Sequence, residues 1–392
     1  MSKQQSLYTL PFMLMCASSM LFSASFNMLI PELPDYLSSL GGAEHKGLII
    51  ALFTLTAGIS RPISGKLTDK VGRVPVMIVG SAVCVLCGVL YPVLSTVAGF
   101  LFLRLIHGFS TGFKPTATAA YIADVVPQGR WGEALGIHGL AFSLGMALGP
   151  TLGSFISSLY SINILFYTSS ALALVSILIC LNLKETLIKR SKFSWSMIRL
   201  NRHDLFDIRV FPAALVTLLY YLTYGVILTL IPDWSGHIGM ENKGLFFLAY
   251  TVASLAIRFL AGKFSDTHGR LYVSKIGLVL LIVSMIILGY GSTSLWLLCG
   301  ASLYGIATGI VSPALNAWTI DLSQPSYRGK ALSTMYIALE AGIGFGALYS
   351  GWLYQDVLPR IPLILQGTSL GAVFALLFIL YWERQQRRRV NS

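Results

Sequence analysis

The sequence predicts an all-α polytopic membrane protein. It has twelve transmembrane helices in two pseudo-symmetric six-helix bundles, with both termini cytoplasmic. Three observations predict this. The 392 residues are 55% hydrophobic and only 11% charged, whereas a soluble domain carries about 25% charged residues. Apolar runs long enough for a bilayer core, about 20 residues each, recur twelve times. A short charged stretch, GKLTDKVGR at 65–73, returns as GKFSDTHGR at 262–270, an offset of 197 residues.

The runs fall at 8–31, 46–66, 74–94, 98–122, 132–157, 162–182, 211–232, 243–263, 272–290, 294–320, 330–353 and 361–382. The first stays apolar too long for a signal-peptide core, so it reads as a retained span. An even number of spans places both ends on one side. Of the 28 Lys and Arg residues, 21 lie at the termini and in alternate loops, and three (Lys46, Lys243, Arg360) lie in the opposite loops. Basic residues mark the cytoplasmic side. The formal net charge of +12 therefore reports membrane orientation and not a nucleic-acid partner. Five cysteines, Cys16, Cys84, Cys87, Cys180 and Cys299, sit inside apolar runs. They read as packing residues and not as a disulfide framework.

Residues 183–210 carry seven basic residues and form the natural cytoplasmic linker between two bundles, 1–182 and 211–392. Phe193, Trp195, Met197, Ile198 and Leu205 would give it an amphipathic helix on the inner leaflet. A solvated connector is the equal alternative. The repeat extends beyond the charged stretch. At the same offset Arg61 matches Arg258, Gly112 matches Gly309, Asp124 matches Asp321 and Gly132 matches Gly329. Two six-helix repeats about an axis normal to the membrane describe a rocking transporter.

GKLTDKVGR resembles the loop 2–3 signature of the major facilitator superfamily, and the whole chain resembles its twelve-helix drug:proton antiporters. Val74 stands where a second basic residue often follows Arg73, and Thr267 and His268 weaken the second copy. Gly65 and Gly72 would permit close helix approach and a tight turn. Asp69 would sit near a helix N-terminus, which favours an anion. The resemblance implies that Arg73 pairs with Asp124. The equivalent second-half latch would use Asp266, Arg270 and Asp321. Such latches would hold the inner helix ends together and break as the protein opens inward.

The fifth span reads GIHGLAFSLGMALGPTLGS. Gly136, Gly145, Gly149, Pro150 and Gly153 resemble the antiporter signature of the family's exporters, with Ser154 in place of the last glycine. Glycines every fourth residue make a smooth face for another helix, and Pro150 removes a backbone bond. In the fourth span, Arg104 and Gly108 resemble the family's Arg-x-x-Gln-Gly pattern, with His107 replacing the Gln. The resemblance implies a part for Arg104 in proton transfer, through a neighbouring group, since guanidinium keeps its own proton. His107 is a candidate titrating group or a hydrogen-bonded packing residue.

Glu340 lies mid-span in the eleventh run. Ionisable groups at that depth are costly and mark proton relays and substrate paths. It is the candidate proton-coupling carboxylate; a fixed counter-charge to Lys114 or an Arg, or a ligand for a cationic substrate, are its other readings. Asp35, at the end of the first span, is a second proton candidate or a solvated interface residue. Arg61 and Arg258 either snorkel or, with Arg104 and Lys114, line a positive vestibule. Tyr220, Tyr224 and Asn316 are candidate substrate contacts, and aromatic helix packing is the competing reading of the tyrosines. These features predict a proton-coupled exporter of small amphipathic molecules in the cell inner membrane, monomeric, with no cofactor and no metal. An exporter of an anionic or zwitterionic metabolite, such as a carboxylate metal chelator, or a metabolite or sugar symporter, are the alternatives. No phosphate-binding Gly-Lys-Ser/Thr loop and no zinc or nucleophile motif is present, so neither an ATP-driven pump nor an enzyme is expected.

Overall fold

The computed structural model describes residues 8–126, 130–198, 206–324 and 328–391. Within them run twelve helices of at least 18 residues and one short one. In chain order they are α1 (Leu10–Asn27), α2 (Leu33–Ser39), α3 (Lys46–Lys70), α4 (Arg73–Leu90), α5 (Val97–Val125), α6 (Trp131–Leu159), α7 (Ile162–Leu181), α8 (Phe211–His237), α9 (Gly244–His268), α10 (Arg270–Tyr290), α11 (Ser294–Leu322), α12 (Arg328–Tyr354) and α13 (Ile361–Asn391). Ten of the long helices are apolar enough to cross a membrane. Of the other two, α9 holds a shorter apolar stretch, Gly244–Arg258, and α5 carries Arg104 and Lys114, both buried inside the protein.

Local chemistry explains the helix ends. Thr96, Ser161 and Thr293 cap α5, α7 and α11, each accepting a backbone N–H three residues on. That satisfies one of the donors a helix start leaves open. The first apolar run is not one helix to residue 31. It stops at Asn27, turns, and resumes as α2. Pro31 and Pro34 lack the N–H that a continuous helix requires there. The linker holds only a single turn, Trp195–Ile198. Trp195 is exposed, Met197 packs on a core cluster drawn from α1 and α3 to α7, and Leu205 lies outside the described residues.

The chain divides into two compact units, Met1–Leu33 with Leu55–Asn201, and Pro34–Thr54 with Arg202–Ser392. The first turns of α3 thus belong to the second unit. In the first unit, α1 lies against α6 and α7, and α4 against α5 and α7. Gly145, Gly149 and Gly153 of α6 meet the backbone of Met20, Ala24 and Met28 so closely that a Cβ at any of them would collide. Leu144, Leu148 and Leu152 point outward from the same helix. One face of α6 is therefore a backbone contact and the other an apolar exterior. In the second unit, Gly342 and Gly346 of α12 meet the carbonyls of Leu218 and Leu222 in α8. The repeat shows in packing too: Gly112 lies on Ala57 and Ser60 of α3, and its counterpart Gly309 lies on Ser254 and Ile257 of α9.

Candidate functional site

The charged stretch between α3 and α4 builds a tight cluster. Arg73 donates from Nε to Asp124 Oδ2 at 3.0 Å and from Nη1 to the Thr68 carbonyl at 2.6 Å. Thr186 Oγ1 donates to the same Asp124 oxygen at 2.5 Å. Asp69 reaches Arg73 at 3.5 Å but is 74% exposed, a weak contact in water. The amides at the start of α4 are taken by Glu185, which accepts from Arg73 N at 3.1 Å and Val74 N at 3.0 Å. An anion belongs at that helix end, and Glu185, which follows α7, is the residue that fills the place. Sequence reasoning missed it, because nothing in the spacing ties residue 185 to residue 73. Gly72 has φ +136°, and a Cβ on it would strike the Glu185 carboxylate. At Gly65 a Cβ would meet nothing within 4 Å, so no close helix approach depends on it.

The second copy is looser. Arg270 Nε donates to Asp321 Oδ2 at 3.3 Å and Nη1 to Ser265 Oγ at 3.2 Å. Asp321 is 54% exposed, against 32% for Asp124. Gly269 takes φ +92°. The side chain of Asp266 lies outside the described residues.

Within the first unit, α5 presents its polar groups to the interior. His107 Nδ1 pairs with Tyr91 Oη at 3.1 Å, and Nε2 lies 3.3 Å from Cys84 Sγ. Arg104 Nη1 donates to the same Tyr91 oxygen at 3.5 Å. Two turns on, Lys114 is almost wholly buried. Its Nζ donates to Ser18 Oγ at 2.8 Å, to Ser81 Oγ at 3.0 Å and to Ser176 Oγ, and stands 4.9 Å from the Phe22 ring centroid. Among the described residues its hydrogen-bond partners are three hydroxyls, the Ser18 carbonyl and the Cys180 thiol, all in the first unit. Ser154, which replaces the last glycine of the α6 pattern, donates to Glu32 Oε1 at 2.6 Å.

Within the second unit, α8, α9 and α11 bring five tyrosines together. Ring centroids step from Tyr220 to Tyr221 at 4.4 Å, Tyr221 to Tyr224 at 6.5 Å, Tyr224 to Tyr250 at 5.8 Å and Tyr250 to Tyr304 at 5.6 Å. Tyr304 and Thr223 share a 3.0 Å hydrogen bond. Asn316 spends its amide on the Ser312 carbonyl of its own helix. Glu340 is buried in α12, 7% exposed. Arg258 is exposed and Arg61 half-buried, so their matched positions do not give matched environments. Asp35 is paired with Lys243.

Two pseudo-repeated helical units, charged loops between helices and buried ionisable groups within apolar helices are features of a membrane transporter. The family model of the Major Facilitator Superfamily matches residues 15–241 and 213–392. The chain belongs to that superfamily; it is a transporter and not an enzyme. It is 29% identical over 316 residues to the multi-drug resistance efflux pump PmrA of Streptococcus pneumoniae, covering 76% of this chain and 77% of that protein. It is 26% identical to the multidrug resistance protein MdtG of Salmonella typhi, covering 84% and 88%. Among solved structures, a D-xylose-proton symporter superposes with TM-score 0.76 at 17% identity, covering 94% of this chain and 96% of that one. The nucleoside transporter NupG superposes with TM-score 0.77 at 15% identity, covering 94% and 99%. These last two share the fold.

Proposed function

We propose that this protein is a proton-coupled exporter of small amphipathic molecules, with twelve spans and cytoplasmic termini. The observation that carries the reading is the α6 seam. Gly145, Gly149 and Gly153 leave no room for a side chain against α1, and this is the stretch that resembles the exporters' antiporter signature. A relative named as a multi-drug resistance efflux pump, at 29% identity, supports the same direction of transport, and one named as a multidrug resistance protein, at 26%, supports drug-like substrates. In this reading Glu340 carries the coupled proton, with Arg104 and His107 tuning the interior of the first unit. Tyr220 and Tyr224 supply apolar, aromatic contact for the substrate, with Asn316, Arg61 and Arg258 as further substrate contacts. The Arg73–Asp124 and Arg270–Asp321 pairs act as latches that open and close during the cycle. The protein works in the inner membrane as a monomer.

A second reading, export of an anionic or zwitterionic metabolite, is favoured by Lys114. It is a buried cation whose hydrogen-bond partners among the described residues are all neutral, and buried charge calls for a counter-charge.

The test uses everted vesicles with an established proton gradient. Proton release is recorded on adding a cationic dye or a carboxylate chelator, for wild type and Glu340→Gln. Release by wild type alone supports coupling through Glu340, and the more effective compound decides between the two substrate classes. Release by both proteins moves the coupling group elsewhere. Release by neither removes proton-coupled export of both classes.

A further inference from the structure

A second group of charges lies at the other end of the second unit from its latch, and no reading of the sequence assigns it a task. Lys46, the first residue of α3, is buried. Its Nζ donates to Asp233 Oδ2 at 2.6 Å and to Asp356 Oδ1 at 2.5 Å. Tyr354 donates its hydroxyl to the same Asp233 oxygen at 2.7 Å, and the Lys46 ammonium stands 5.4 Å from the Tyr354 ring centroid. Asp233 is buried near the end of α8, and its second oxygen, Oδ1, has no hydrogen-bond partner among the described residues. Asp356 is 43% exposed, so water reaches the cluster from its side.

Three features set this cluster apart from a structural ion pair. The first is charge balance. Two carboxylates share one ammonium, so the cluster, buried at Lys46 and Asp233 and open to water at Asp356, carries a surplus negative charge that one proton would cancel. A like charge beside a buried carboxylate favours the protonated form of the buried one. The second is the bare oxygen. A buried ionised carboxylate normally has its oxygens satisfied, and a carboxylate oxygen with no donor is where a proton would go. The third is backbone strain. Gln355 and Asp356 both take left-handed φ, +46° and +59°, which L-residues adopt at a cost. Consecutive strained residues persist only where their surroundings over-determine them, and they gather at switching sites. Here Arg360 holds Gln355 Oε1 at 3.1 Å while Lys46 holds Asp356.

We propose that Lys46, Asp233, Tyr354 and Asp356 form a proton-binding site, with Asp233 as the group that takes the proton. This rests on the proposed proton-coupled transport and adds to it a carboxylate other than Glu340. Under the proposed topology the proton arrives from the non-cytoplasmic side, by way of Asp356. Protonating Asp233 removes the charge that binds Lys46 to α8. Lys46 keeps Asp356, and the first turns of α3 lose one of their two charged anchors. The other charged group that acts on Asp233 is Asp35 of α2, already paired with Lys243; nearby, His237 stacks on Trp234 and Arg360 donates to the Leu353 carbonyl and to Gln355 Oε1.

The test is infrared difference spectroscopy of the purified full-length protein in liposomes, as the medium is taken from alkaline to acidic, beside proton release in everted vesicles on adding a cationic dye. Wild type should show a protonated-carboxyl band that Asp233→Asn lacks and Glu340→Gln keeps. In Lys46→Met the band should appear at higher pH, because the ammonium that opposes protonation is gone. In Asp356→Asn it should appear only at lower pH, because a single carboxylate is then balanced by a single ammonium. Asp356→Asn lies at an exposed turn, so it serves if Asp233→Asn does not fold. A band unchanged in Asp233→Asn, or unmoved in both Lys46→Met and Asp356→Asn, overturns the site. Coupled release in the vesicles separates the two readings. Wild type without release, but with the band behaving as described, removes the transport reading and leaves the site. Release that persists in Asp233→Asn removes the site from the coupling path.

Discussion

Glu185 and Gly72 show how one residue position depends on another far along the chain. Gly72 turns at a φ that favours glycine, and the space its missing Cβ leaves is where the Glu185 carboxylate meets the amides of α4. Gly72→Ala should therefore suffer twice, from a strained φ and from displacement of Glu185. We expect a loss of about 1–3 kcal/mol, read as a lower unfolding temperature, together with slower transport. Glu185→Gln keeps the shape, loses the charge and turns one accepting oxygen into an amide that faces a backbone N–H of α4. Its cost should be about 1–3 kcal/mol, and an unfolding temperature unchanged from wild type would contradict this account. Lys114 makes a different residue-scale prediction. Because its hydrogen-bond partners among the described residues are neutral, Lys114→Met breaks no ion pair there. The variant should fold with a stability change of no more than about 2 kcal/mol. Removing one member of a buried ion pair costs more, about 3–5 kcal/mol. A collapse in thermal stability would show that Lys114 has a charged partner after all.

At the scale of helices, the α1–α6 seam separates glycines that matter from glycines that do not. Gly145, Gly149 and Gly153 abut the α1 backbone, whereas a Cβ at Gly136, the first glycine of the same motif, meets nothing within 4 Å. Gly149→Leu should push the helices apart and cost at least about 1–3 kcal/mol. Gly136→Ala should be neutral, or stabilise by about 0.5–1 kcal/mol as an exposed mid-helix glycine is removed. Thermal unfolding of the purified variants checks both, and equal effects at the two positions would show that the motif is not read through packing. The two latches differ in the same manner. Arg73 is 13% exposed and Arg270 26%, and the first latch alone recruits Thr186 to its aspartate. Arg73→Ala should lower the initial transport rate more than Arg270→Ala. High salt should weaken the second latch more than the first, since exposed pairs are screened. Initial rates at low and high salt measure both effects.

At the scale of the whole molecule, the sequence by itself determined the class of protein. Composition alone excluded a soluble domain, because 11% charged residues cannot cover a water-facing surface. The repeated stretch and its matched arginines and aspartates announced two copies of one unit, and Arg73 lies on Asp124 as Arg270 lies on Asp321. Those features were legible because membrane thickness sets the length of apolar runs, and because a duplicated unit keeps its spacing. Tertiary structure alone decided the partners. Glu185 reaches residue 73 from 112 positions along the chain, Ser154 binds Glu32, and Lys114 is solvated by serines from three helices. Lys46 read in the sequence as one of three orientation charges, and only the fold gave it Asp233, Tyr354 and Asp356. Spacing along one chain reports what a single helix or loop will do. A polar group buried away from water takes whichever donor or acceptor the packing of other helices brings to it, and no local pattern records that choice.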